Sequence, residues 1–569
     1  MDMSRSWKTA LLLAVGILPC ITQAQTRKTK KQAAEKQQSR DVLSKDAGGT
    51  PKVLTVTSAF KPSLRNPAKI NFTAATPVID SSRLPLTYQV PVQNLFFAYQ
   101  PVPVKPLALS IDTSVNWESR QFIKAGFGNY TTPYLEAGFS FGDGVHSMVA
   151  LHAHYTSSTG DLPFQQFGKT GAEALGIFNT TNNNEVTGRL TFENSLQYKY
   201  GITGPATAFT KEQLEQQFNS LGLELGLKNK MPNSFGMTYH PELRLFYFND
   251  NRNAQEVSFA GSLDINKRFG RLFAFDLAGT ADISSLSRPG TVSTIANNLY
   301  FIDPSIQFNS PNFKLNLGIQ PSWDNHVFSV LPNFTGEVKI TDERFVLQAG
   351  WIGYFNKNTY RSLAAFNPWI EQPSTLLNTK ISEQYAGFKG SLGKHFTYNA
   401  RLSFLKITNQ PLFTNDTAAG NSQTFRILYE PTLQAVRLHG EVVYTDQEKL
   451  SLTAGISYTH YTMQQQYNQA FGLLPLELTG SLRYRVLKDL HIKADAFVWD
   501  GTYYQGKSQQ ALKVDPAMDL NIGGDYTILS HLNLWLQFNN VLNNHYQRWH
   551  QYDVLGFNVV GGVVYSFGK

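Results

Sequence analysis

The chain has 569 residues, 42% hydrophobic, 13% aromatic and only 16% charged, with a single cysteine and a mean hydropathy of −0.27. Soluble proteins carry about 25% charged residues. The 39 Phe and 26 Tyr exclude intrinsic disorder, and the lack of repeated apolar runs of ~20 residues excludes a polytopic helical membrane protein. The net charge of +8 is unevenly placed: residues 26–52 hold eight Lys or Arg against three Asp or Glu (+5), and residues 1–25 add +1. The remaining +2 is spread over 517 residues, so the basic balance does not signal nucleic acid.

Residues 1–24 read as a secretory signal peptide. Arg5 and Lys8 form its basic start, Ala10 to Ile21 its apolar core, and Thr22-Gln23-Ala24 its cleavage site. Pro19 before Cys20 is a poor match to a lipoprotein signal. Cleavage after Ala24 leaves a mature chain without cysteine, hence without disulfides or thiolate metal sites. Residues 25–52 are Lys-, Gln- and Ser-rich and predict a flexible basic tail. In 53–118, eight prolines between Pro62 and Pro106 break up short apolar pieces such as Leu95-Phe96-Phe97 and Tyr99. Proline at that density forbids long helices and central strands, so this stretch predicts a Pro-rich, extended, irregular periplasmic segment.

From 119 to 569 one pattern dominates. In Arg271–Ile283, Phe273, Phe275, Leu277, Ala281 and Ile283 alternate with polar residues that include Asp276, Thr280 and Asp282. Val145–Tyr155, Leu450–Tyr461 and Leu490–Trp499 repeat the alternation, which predicts strands with one apolar and one wet face. The apolar faces include Leu151, Phe273, Phe275, Leu452, Ile456, Ile492 and Leu534. Connections alternate too. Short turns fall at Gly142–Gly144, Phe269–Arg271, Thr341–Glu343, Leu392–Lys394, Thr445–Lys449, Leu487–Asp489 and Leu529–His531. Long polar loops fall at 157–171, 201–215, 284–297, 357–382, 409–422, 464–473 and 503–512. Long–short alternation predicts an all-β fold, a transmembrane antiparallel β-barrel of about 22 strands. Its place would be the Gram-negative outer membrane, with lipid as a partner and tight turns in the periplasm.

Chemistry-bearing residues are sparse. His152 and His154 share one strand face, as a strand-borne metal pair requires, but no third ligand accompanies them, so no metal is assigned. His545 and His550 sit with Tyr546 and Trp549 in the last outer loop, where the aromatics read as an interfacial belt. Asp276, Asp282, Glu193, Arg189, Arg401, Lys493 and Asp495 fall on wet faces, and their mixed signs argue against an ion filter. No Ser/His/acid set is spaced for catalysis, so no catalytic residue, cofactor or enzymatic activity is expected.

The first hairpin, with Lys124–Asn129, Gly138 and the turn Gly142-Asp143-Gly144, resembles the opening of a TonB-dependent receptor barrel. Leu532–Val541, Leu542, Asn543, Tyr546 and Val559–Phe567 resemble its closing strands. The likeness covers 107–569 and is closest to plugless, Bacteroidetes-type barrels: the 95 residues from Gln25 to Ser119 are too few for the family's plug, and only Leu107–Asp112 resembles a remnant of it. Val53, Leu54, Thr55, Val56 and Thr57 resemble a TonB box, the segment a periplasmic energy-coupling protein pairs with by strand addition. The resemblance implies a solute transporter or channel of unknown solute. The alternative is a non-transporting scaffold or assembly subunit with a periplasmic or outer-membrane protein partner.

Overall fold

The two-residue periodicity closes into a ring. The computed structural model describes residues 121–567, apart from 202–207, 416–422, 447–448 and 507. Twenty-two antiparallel strands form one sheet, and the first, Gln121–Gly128, pairs with the last, Asn558–Phe567. A closed ring has no edge, so every strand finds its hydrogen bonds within the sheet, as a β-protein in hydrocarbon must. Among the described residues no helix is long and apolar enough to cross a membrane. The strand count and the fold class agree with the sequence reading. The signal, tail and Pro-rich segments, with Val53–Thr57, lie outside the described residues.

Alternation sorts the two faces of the wall. Leu151, Phe273, Leu452 and Leu534 are exposed on the outside, beside Leu438, Leu478, Tyr526 and Val563. Register puts Phe275 opposite Ile306, Ile456 opposite Leu478, and Ile492 opposite Tyr484, so all seven residues of the expected lipid face point outward. The inner face carries the polar set. All seven charged residues expected on wet faces lie on it, and most of them meet a partner across strands: Arg189–Glu173 at 3.0 Å, Asp495–Arg483 at 2.9 Å and Arg401–Glu383 at 3.7 Å.

The seven expected short turns all fall at one end of the ring, here the turn end, and the expected long loops fall at the other. Three connections depart from strict alternation, because 129–131, 251–254 and 325–326 are tight although they lie at the loop end. Asn325 and His326 both take positive φ (44° and 77°), the backbone of a two-residue hairpin turn, which needs no long loop. At the turn end, Gly142 adopts φ 130°, and the Asp143 carboxylate accepts the backbone N–H groups of Val145, His146 and Ser147 at 3.1, 2.7 and 2.9 Å. Those donors, Ser147 foremost, hold the Asp143 carboxyl well below the usual carboxylate range. The seam between the chain's two ends is also glycine-dependent: a Cβ on Gly562 would collide with the Ala125 carbonyl oxygen.

Candidate functional site: a capped mouth above a polar lumen

Three of the long loops do not stand upright. They fold inward and meet over the mouth. After the strand Phe345–Asn356, the segment 357–378 carries a helix, Tyr360–Phe366, N-capped by Thr359, whose hydroxyl accepts the Ser362 N–H at 3.0 Å. The root of this segment is bolted to the wall by amides. Asn297 donates to Asn358 O and Asn378 Oδ1, both at 2.9 Å, and Asn378 donates back to Asn297 Oδ1 at 2.8 Å and to Asp324 at 2.7 Å. Lys357 adds an ion pair to Asp282 at 3.2 Å. The Glu256 carboxylate accepts the N–H groups of Tyr360 and Arg361 at the helix start, at 2.8 and 2.9 Å.

Two further pieces complete the cap. The hairpin Gln410–Asn415 with Phe425–Glu430 pairs its edge with Ile370, and the Phe425 N–H donates to Trp369 O at 3.0 Å. The last loop, 540–557, crosses to meet them. Trp369 and Tyr552 stack at 3.9 Å between ring centroids, with Tyr200 edge-on to Tyr552 at 4.9 Å. Trp549 packs against Phe366, Phe413 and Phe425. Tyr200 follows the fifth strand of the ring, whereas Phe425 follows the fifteenth, so these contacts span the mouth. Backbone acceptors fix the crossing: the Tyr200 hydroxyl donates to Asp553 O at 2.9 Å, and Trp369 Nε1 to Tyr198 O at 3.1 Å. One aromatic cluster, wholly shielded from water at Tyr360 and Tyr552, bridges the loop end.

This placement corrects the belt reading of the last loop. Trp549 lies in the cap core, and Tyr546 packs on Phe497 and Trp499 with its hydroxyl donating to Asp519 at 2.8 Å. His550 stacks on Tyr504 at 3.6 Å, and His545 lies beside Gly556. His152 and His154 face the lumen, each beside its own carboxylate: Glu136 at 3.1 Å and Glu193 at 3.5 Å. Among the described residues no group of three or more His, Cys, Asp or Glu is placed to hold a metal. Tyr200, Trp369, Phe425 and Tyr552 were not singled out by the sequence. Their only signal was an excess of large aromatics in loops, where exposed polar residues are the norm.

Beneath the cap lies a titrating group. Burial first, and Arg252 alongside, push the Lys199 ammonium down to about 7, against the pull of Glu371 and Asp250. With the cap unfolded this lysine returns to its ordinary range near 10.4. Between these values the open form binds the extra proton, so the closed cap gains stability as pH rises from about 7 toward 10. Limited proteolysis of the loops should therefore slow over that window, and Lys199→Met should flatten the dependence.

The ring, its polar inner wall and its capped mouth define a large transmembrane-type β-barrel. Solved structures of that build resemble it. The FrpB iron transporter from Neisseria meningitidis (F3-3 variant) superposes with a TM-score of 0.64 at 10% identity, over 80% of this chain and 82% of that one. The siderophore receptor PirA from Pseudomonas aeruginosa gives 0.56 at 10% identity, over 79% and 80%. The ferric enterobactin receptor PfeA (a mutant) from the same organism gives 0.60 at 12%, over 79% and 80%. At these identities the likeness is one of fold. No protein-family model matches the sequence, and no curated protein resembles it in sequence.

Proposed function

We propose that the chain is an outer-membrane barrel of the TonB-dependent receptor type that passes a solute through its lumen. The observation that carries this reading is a closed ring with a charged inner wall beneath a mouth spanned by its own loops, which is the arrangement a gated pathway requires. The turn end then faces the periplasm and the cap faces outside. The neighbours in fold, an iron transporter and two siderophore receptors, support a transport role. Residues 53–118 serve the periplasmic mouth in this proposal, with Val53–Thr57 offering an edge to a periplasmic partner.

The packed cap also favours a second reading, a scaffold subunit whose lumen carries nothing and whose N-terminal segment docks a partner protein. Deleting residues 53–106 separates the two. In planar bilayers the transporter should show raised single-channel conductance while keeping heat-modifiable migration. The scaffold should show unchanged conductance and lose a co-purifying partner. No change in either assay would refute both roles for the segment.

A further inference from the structure

Below the cap, three adjoining strands, Thr379–Leu392, Phe396–Thr408 and Leu433–Asp446, bring an unusual set of side chains to the inner wall. Arg401 sits directly opposite His439, and Ser403 opposite both Tyr385 and Arg437. Arg401 is nine-tenths buried and stacks on the Tyr385 ring at 4.4 Å. Its one carboxylate contact, Glu383 at 3.7 Å, is long, and its Nε has no hydrogen-bond partner. Glu383 receives the Ser403 hydroxyl at 2.6 Å on one oxygen, while its other oxygen and the Tyr354 hydroxyl are also without partners. Such bare polar atoms are uncommon in a packed wall.

Two groups in front of this buried set are open to the lumen. His439 is exposed and Arg437 is half-buried. The Arg437 guanidinium spends one N–H on Thr459 Oγ1 at 3.3 Å, and no carboxylate lies within ion-pair distance of it among the described residues. Elsewhere on the wall opposite charges cancel at contact, as in Lys389–Glu337 at 2.6 Å and Arg483–Asp495 at 2.9 Å. The other acidic group on this face, Glu441, lies two residues further toward the turn end. Above the patch, Ile381, Leu405, Ile407 and Leu433 form a dry collar with Tyr354. A guanidinium with free donors, an imidazole beside it and a second guanidinium in low dielectric behind them make a receiver for an oxyanion.

We propose that Arg437 and His439, backed by Arg401, form a lumenal binding site for the carboxylate or phosphate group of a small anionic solute. Arg437 supplies the charge-assisted donors. His439 adds a directed N–H, and Arg401 sets the local potential while Glu383 and Tyr385 fix its plane. The site rests on the transport reading, since it names the chemistry of what passes beneath the cap.

The test is equilibrium binding to the full-length protein in detergent, by isothermal titration calorimetry with citrate, with inorganic phosphate, and with glucose as an uncharged comparator. Saturable heat from citrate or phosphate but not from glucose is the expected result, and the anion that binds tells carboxylate from phosphate. Arg437→Gln should weaken it roughly tenfold, about one charge-assisted hydrogen bond, with Arg437→Lys retaining part of the affinity. All variants should keep heat-modifiable migration, and Arg437, being half-buried, can be changed without emptying the core. Absence of anion binding, equal binding of glucose, or an Arg437→Gln protein with unchanged affinity would overturn the site. Conductance is scored separately, on the protein lacking residues 53–106: binding without raised conductance would refute transport and leave the site standing, whereas raised conductance without binding would do the reverse.

Discussion

Ile456→Arg should fail to assemble in a bilayer, while Thr453→Arg, three residues away on the same strand, should assemble and migrate as wild type. Ile456 lies near the middle of Leu450–Gln464 on the outer face, paired with Gly440 and Leu478. An arginine facing lipid at the bilayer midplane costs roughly 2–4 kcal/mol, a large part of a typical margin of ~5–15 kcal/mol. Thr453 faces the lumen between Val443 and Ser481, where an arginine reaches water. Heat-modifiability of membrane fractions measures both. Equal behaviour of the pair would mean that the faces are assigned the wrong way round.

Replacing both Trp369 and Tyr552 by alanine should open the mouth without opening the ring. The two rings stack on one another at 3.9 Å and are buried on all sides. Removing one large buried aromatic costs about 3–5 kcal/mol. Because the rings touch, the double variant should cost less than the sum of the singles. The loss falls on loop-to-loop contacts and not on the strand ladder, so mass-spectrometric mapping of limited proteolysis should show new cleavage within 357–378 and 540–557. Strand content by circular dichroism should stay constant. A variant whose loops remain as resistant as wild type would show that the amide bolts at Asn297 and Asn378, and not the aromatics, hold the cap shut.

The wall was legible in the sequence and the cap was not, for one physical reason. A strand spanning a membrane must alternate at every residue, so Phe273, Phe275 and Ile283 declare their face against Asp276 and Asp282 without knowledge of any partner. Loop packing obeys no period. Trp369, Phe425 and Tyr552 lie far apart in sequence and become neighbours only after the ring has brought their loops to one end. Trp549 shows the hazard: an aromatic near a strand end fits an interfacial belt as well as a core, and only the inward fold of 540–557 decides. The Arg401 site was half visible. Its charge and its face could be read, but the register that sets it opposite His439 and leaves Arg437 without a carboxylate could not.

The seam sets the order of events during biogenesis. Gln121–Gly128 has only Thr132–Gly142 and Asn558–Phe567 as partners, and the latter is the last strand of the ring. Closure therefore joins segments more than 400 positions apart, which is the costliest contact a chain can postpone. Until the final hairpin is in place, an early strand and a late one both present unpaired backbone, an invitation to aggregate. Truncation after Asn539 would make that state permanent, and the product should be degraded or held by chaperones instead of forming a smaller pore. A circular permutant that links Phe567 to Gln121 and opens the chain at the tight turn 325–326 would only move the seam, making Val327–Thr341 the first strand and Phe313–Asp324 the last, so the vulnerable interval should persist at the new pair.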